Sequence, residues 1–159
     1  MIDSKTYEEI RKSFSAYLTE NKLRKTEERY MIFDGICDFP GHFDICALHQ
    51  KLSNTKFHVS KATLYNTLKV LTDAGLIIRH QLDSKSIQYE LKKKAESHLH
   101  LVCTQCNCIR DIKNPASLTA SIHALKKRFT PEYFSLYVYG ICDKCKNKAL
   151  RAAKKNKIK

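Results

Sequence analysis

The chain is 159 residues long, 43% hydrophobic and 28% charged, which suits one ordinary soluble domain or two small ones. No run of 18 apolar residues occurs and the N-terminus "MIDSKTYEEIRKSF" is charged throughout, so neither a membrane span nor a secretory leader is expected, and a cytoplasmic location is. The 29 Lys and Arg outweigh the 16 Asp and Glu by +13, which favours a polyanionic partner, nucleic acid before a membrane surface, over a merely basic solvated surface.

Tyr7, Ile10, Phe14, Tyr17 and Leu18 recur at three- and four-residue steps and predict a first helix. A second opens at Thr26, an N-cap candidate, with Tyr30, Phe33 and Cys37 on one face, and Pro40-Gly41 break the chain after it. A short third helix starts at Asp44 and buries Leu48 and Leu52. The fourth runs from Ser60 through Leu64, Leu68 and Leu71 to a terminating Gly75. Two β-like runs follow, "LIIRHQL" and "SIQYEL", joined by Asp83, Ser84 and Lys85. A short helix, a second helix and a hairpin make a winged helix-turn-helix pattern over residues 1–91, whose second helix enters the DNA major groove.

The polar run "KKKAES", residues 92–97, reads as a hinge to a second unit over residues 98–148. There "HLHLVC" and "CIRDI" read as strands. "ASLTASIHALKKRF" reads as an amphipathic helix with Leu118, Ile122, Leu125 and Phe129 on its face, and "YFSLYVYG" as a strand. A last helix follows Cys142 and is expected to dissolve into a basic, disordered tail over 149–159. The fold class is α+β.

Seven cysteines in a reducing compartment suggest metal binding before disulfides. Cys103-x2-Cys106 and Cys142-x2-Cys145 are paired knuckles, and four soft thiolates suit tetrahedral, structural Zn²⁺ with no position left for water. The 35 residues between Cys106 and Cys142 must fold back to bring the knuckles together. Cys37 and Cys46 read as core residues, and Cys108 has no assigned role. His98 and His100, two apart on a strand, face one side; Cys103 is an odd number of steps from both and faces away. The histidines therefore belong to a second site or are two surface histidines.

Taken together, "KATLYNTLKVLTDAGLI", "SIQYEL", "HLHLVCTQC", "IRDI" and "SLYVYGICDKC", in this order, resemble the ferric uptake regulator family of bacterial metal-dependent repressors over roughly residues 20–148. The resemblance implies a homodimer with an N-terminal winged-helix domain and a C-terminal dimerisation domain, binding an A/T-rich inverted repeat of double-stranded DNA and no membrane. It implies a regulatory metal at the domain junction with His42, Glu90, His98, His100 and Asp111 as ligands. Imidazole and carboxylate donors suit Fe²⁺, the expected ion in the cell, and equally Zn²⁺, Mn²⁺ or Co²⁺. The positions of a further metal site of the family are here Ser97, Leu99, Leu118 and Phe134, three of them apolar, so that site is expected to be absent and its place filled by packing. Peroxide sensors of the family carry aspartate where Glu90 stands, which directs the reading to iron-type sensing and leaves peroxide sensing as the alternative.

Lys61, Thr63, Tyr65 and Asn66 are the recognition-helix candidates, Tyr65 against a thymine methyl and Asn66 toward adenine or phosphate. Arg29 and Lys85 are phosphate candidates. Many ferric-type members have arginine where Asn66 stands. A constitutive DNA-binding protein with structural metals only is the rival from another class. An open catalytic metal centre lacks any accompanying nucleophile or substrate motif.

Overall fold

Asp3 caps the first helix in the computed structural model, which describes residues 2–55, 58–81, 87–95, 98–124, 129 and 134–156. Its carboxylate accepts from the Thr6 amide, and helix α1 (Ser4–Glu20) buries Phe14 and Leu18. Helix α2 (Glu27–Cys37) follows Thr26, whose side chain makes no capping hydrogen bond; Glu27 and Glu28 in the first turn complement the helix dipole instead. Helix α3 (Ile45–Ser53) is capped by Asp44 and buries Leu48 and Leu52. Helix α4 (Lys61–Asp73) is capped by Ser60, whose Oγ accepts from the Thr63 amide at 3.1 Å. Gly75, at φ +66°, turns the chain out of α4, a backbone region costly for any residue with a Cβ.

Strands β1 (Ile77–Gln81) and β2 (Ile87–Leu91) pair antiparallel, and their joining turn, with Lys85, lies outside the described residues. Phe43 adds a third rung: it exchanges two backbone hydrogen bonds with Tyr89, at 2.9 and 2.8 Å. Phe14, Leu18, Ile32, Phe33, Leu48, Leu64, Leu68 and Leu91 form one continuous core beneath the helices and the wing. Each such side chain contributes roughly 1.5–3 kcal/mol on burial. The first unit spans Met1–Lys94.

The expected hinge contains one helical turn, α5 (Lys92–Ala95). It is tied down: the Lys94 ammonium donates to the carbonyls of Cys37 and Phe39 at the end of α2. One lysine of the run, Lys94, therefore caps carbonyls here, while Lys93 is exposed. Cys37 is buried as expected, but Cys46 is exposed, because α3 turns that position outward while Leu48 and Leu52 face the core.

The second unit, Ala95–Lys159, is built on a three-stranded sheet of order β4-β3-β5. Strand β3 (His98–Cys103) runs antiparallel to β4 (Ile109–Lys113) and parallel to β5 (Tyr137–Gly140). Helix α6 spans Ala116–Ala124; Leu118 and Ile122 lie on it half-buried, Leu125 falls outside the described residues, and Phe129 lies beyond the helix, 67% exposed. Phe129 therefore falls outside the helical face predicted to reach it, and among the described residues of "YFSLYVYG" the last four form strand. Helix α7 spans Asp143–Asn156, so the basic segment expected to be disordered is helical through Asn156. Ala149, Leu150, Arg151, Ala152 and Ala153 are strong helix formers, and they extend the turn begun at the second knuckle.

The Ser60 cap sits at the N-terminus of the helix predicted to read DNA. Ser60→Ala should lower stability by about 1 kcal/mol, the usual cost of a lost N-cap. Urea denaturation followed by far-ultraviolet circular dichroism measures it; an unshifted midpoint would show that the cap is dispensable.

Candidate metal centres and nucleic-acid interface

The four predicted zinc ligands come together. One sulfur from each of Cys103, Cys106, Cys142 and Cys145 lies within 4.8 Å of the others. The cause is the sheet. Strands β3 and β5 run in register, with Cys103 opposite Gly140, so each knuckle begins where its strand stops. Backbone amides aim at the sulfurs: Cys142 N and Gln105 N donate to Cys103 Sγ at 3.3 and 3.4 Å. Those donors lower the Cys103 thiol to about 6, and the Cys145 amide likewise lowers Cys142. Hydrogen bonds to Cys106 and Cys142 push the Cys145 thiol up to about 12, so two of the four sulfurs are lowered by backbone donors, and four soft sulfur donors this close together fit Zn²⁺. Cys108 is half-buried beside it, and hydrogen bonds from its thiol to Cys106 and Cys142 push it up to about 12.

A second cluster lies in the first unit. The Phe43–Tyr89 bridge is antiparallel, so the neighbouring His42 falls beside Glu90. His42 Nε2 is 3.4 Å from Glu90 Oε1. His80, absent from the sequence-predicted set, is nearer still: its Nε2 lies 2.7 Å from the same oxygen. The His42 and His80 rings are 5.1 Å apart, and Glu90 and His80 are fully or almost fully buried. Burial alone pushes the Glu90 carboxyl up, but hydrogen bonds from His42 and His80 outweigh it and hold it down at about 2. His80 could have been found from alternation. In "IIRHQ" it shares the inward face with Ile78, and Glu90 stands opposite Ile78 on the paired strand.

A third cluster lies in the second unit. His98 and His100 project to one face of β3, and Asp111 stands directly opposite His100 on β4. Asp111 Oδ1 is 3.6 Å from His98 Nε2 and 3.3 Å from His100 Nδ1. The two imidazoles are 4.9 Å apart and nearly perpendicular, and Tyr137 of β5 flanks His100 at 5.1 Å. Imidazole and carboxylate donors in this number fit a divalent first-row ion that is completed by other ligands.

On α4, Lys61, Tyr65 and Asn66 are exposed, Tyr65 by 56%, as a helix face that meets a partner requires. Thr63 is half-buried and hydrogen-bonded to the Ser60 cap. A groove lined by Lys22, Arg24, Arg29, Thr63 and Asn66 brings Arg29 to the same surface as α4, its guanidinium donating to the Arg24 carbonyl. A second hollow joins Tyr65 and Lys69 to Arg79 of the wing. Lys22, Arg24, Lys69 and Arg79 were not singled out in the sequence; nothing short of the fold distinguishes them from other surface cations.

Residues 20–139 match the sequence profile described as "Ferric uptake regulator family". The "Ferric uptake regulation protein" of Campylobacter upsaliensis is 26% identical over 151 residues, covering 93% of this chain and 96% of that one. The "Peroxide-responsive repressor PerR" of Staphylococcus aureus is 26% identical over 136 residues, covering 84% and 89%. The solved structure of the Helicobacter pylori ferric uptake regulator, which has three functional metal binding sites, superposes with a TM-score of 0.73 at 18% identity, over 92% of this chain and 97% of that one.

Glu90 gives a pH prediction. Its folded value, about 2, lies below the ordinary 4.5, so its ionised form stabilises the fold. That contribution is fully present above the ordinary value and disappears as pH falls through the folded one. In chelated protein, the stability difference between wild type and Glu90→Gln should be largest above about 4.5 and shrink toward pH 2. Denaturant titrations across that range check it; a difference independent of pH would contradict the ion-pair origin.

Proposed function

The chain belongs to the ferric uptake regulator family, and from that premise we propose that this metal-responsive regulator is a DNA-binding repressor switched by one divalent ion, Fe²⁺ in the cell. The ligands in this reading are His42 and Glu90 from the first unit and His98, His100 and Asp111 from the second. One observation carries the reading. Each unit presents an incomplete trio of imidazole and carboxylate donors within 4.8 Å of one another: His42, His80 and Glu90 in one, His98, His100 and Asp111 in the other. Neither trio is an obvious complete site, and a shared ion would complete both.

The bound ion would supply a cross-link between the units, favouring those arrangements that bring both trios to it. His80, hydrogen-bonded to Glu90, orients that carboxylate and competes with the ion for it. Zn²⁺ is the proposed occupant of the four-cysteine cluster, where it holds β3, β5 and α7 together. The exposed Ile112, Val138, Tyr139 and Ile141 of the second unit are apolar surface suited to a second copy of the chain. The homodimer would then offer two α4 helices to the half-sites of an A/T-rich inverted repeat, with Tyr65 and Asn66 at base edges and Arg29 and Lys85 on phosphates.

Ligand binding and DNA binding to one equilibrium must be reciprocal: metal tightens DNA binding by the factor by which DNA tightens metal binding, typically about 5–150-fold. The test is a metal titration of binding to an inverted-repeat duplex selected from random sequence by the metal-loaded protein. His98→Ala combined with His100→Ala should abolish the metal response while the cysteine-bound zinc and the dimer persist. A double mutant that responds like wild type would place the switch elsewhere.

Cys142→Ser should cost zinc and dimerisation together, because binding at a closed thiolate site is coupled to folding. Metal analysis and sedimentation measure both; a zinc-free, stable dimer would remove the structural role. A second reading, peroxide sensing, is favoured by the 26% identity to PerR, equal to that of the Campylobacter regulator. A mass gain of one oxygen on His42 or His98 after peroxide treatment of the iron-loaded protein would select it.

A further inference from the structure

Helix α7 carries five lysines and one arginine against a single acid, Asp143. That acid is engaged: its Oδ2 lies 3.4 Å from Arg110 Nη1. Lys144, Lys148 and Arg151 follow one another at steps of four and three, so they stand one above another on one face, and all three are exposed. They span about 10 Å of helix axis, a length over which one DNA strand presents about three phosphates. The helix is not a loose end. Its first turn contains Cys145, and the Lys146 amide donates to the Cys142 carbonyl at 2.9 Å, so the stripe starts at the four-thiol cluster. A pre-ordered row of cations loses less freedom on binding than a disordered tail would.

We propose that the Lys144–Lys148–Arg151 face of α7 is a second phosphate-contacting surface, separate from α4, that takes the sugar-phosphate backbone of duplex DNA. The proposal rests on the DNA-binding reading above. The opposite side of the helix argues against a lipid surface as the partner. A helix that lies in a membrane interface needs bulky apolar residues opposite its cations. Here that side offers Ala149 and Ala153, with Leu150 the one large apolar residue of α7. The helix is therefore suited to a polyanion that has no apolar phase.

The test is the salt dependence of binding to a mixed-sequence duplex of about 30 base pairs, a length that spans roughly three helical turns. The zinc-loaded full chain is compared with the triple variant Lys144→Gln, Lys148→Gln, Arg151→Gln. Each lost phosphate contact should flatten the slope of log K against log salt by about 0.9, or by about 2.7 for all three. Preference for the selected inverted repeat over the mixed duplex should stay as in wild type, because phosphate contacts carry no sequence. Lys146→Gln, on the other side of the helix, should keep the wild-type slope. So should Lys144→Arg with Lys148→Arg, which retains charge and controls for folding. An unchanged slope in the triple variant overturns the proposal. So does a variant that loses binding to phosphatidylserine vesicles while its DNA slope stays put. A wild type that binds no duplex at all overturns the DNA-binding reading too, whereas an unchanged slope in a wild type that binds overturns only the stripe.

Discussion

The second unit is held by the register of β3 on β5, because that register gathers the four thiols. Among its described residues, the buried hydrophobic side chains are Ala95, Val102 and Cys103, whereas the first unit has a continuous core running from Phe14 to Leu91. Small units bury a smaller share of their apolar surface, and small domains commonly add a metal or a partner subunit. The four-thiol cluster offers a place for the first. The knuckles start at the in-register ends of β3 and β5, so forming the sheet and forming the thiol cluster are one event. The cluster also closes the long excursion from Cys106 to Cys142, whose loop entropy would otherwise oppose the parallel pairing. Ile112 and Val138, opposite Leu99 and Leu101 of β3, leave apolar side chains exposed on one face of the sheet.

The first unit reverses this balance. Its core is ample, and its weak point is polar: a carboxylate, Glu90, fully buried in the wing. A buried charge is tolerated only when it is paired and hydrogen-bonded. The backbone arranges that through two registers at once. The β1–β2 ladder brings His80 from one side, and the Phe43–Tyr89 bridge brings His42 from the other. Lys94 then ties α5 to the carbonyls of Cys37 and Phe39, a few residues before His42. Such a cluster contributes little net stability compared with apolar packing.

How much could be read from the sequence follows from how local each signal is. The caps at Asp44 and Ser60, the glycine stop at Gly75 and the two cysteine knuckles are written within a few residues, and the elements lie where those signals put them. The alternation in "HLHLVC" likewise placed His98 and His100 on one face. Thr26 precedes a helix without capping it, since the signal for a cap says nothing about where the hydroxyl points. Tertiary facts were harder. His80 joins Glu90 only through strand register, and Cys46 faces solvent because Leu48 and Leu52 fix the rotation of α3. The helical reach to Asn156 was obscured by charge: the basic, acid-free run "RAAKKNKIK" suggested a solvated tail, while its alanines favour helix.

The donor atoms divide the metal chemistry more sharply than affinity could. Thiolates select soft or borderline ions, and four of them close the coordination sphere. The imidazole and carboxylate trios have no comparable preference, since the affinity order of divalent ions for such donors places copper and zinc above iron. A regulator reading iron through them must rely on geometry and on which ion is free in the cell. The proposed division of the donors between the two units would lend itself to that. In the proposed reading each trio is positioned by its own unit, so the ion that switches the protein would be one whose preferred geometry matches an arrangement of the units compatible with DNA. An ion that binds tightly but holds the units at another angle would occupy the ligands without producing the response. In such a design the DNA takes part in selecting the metal, because it stabilises only the arrangement that the correct ion also stabilises.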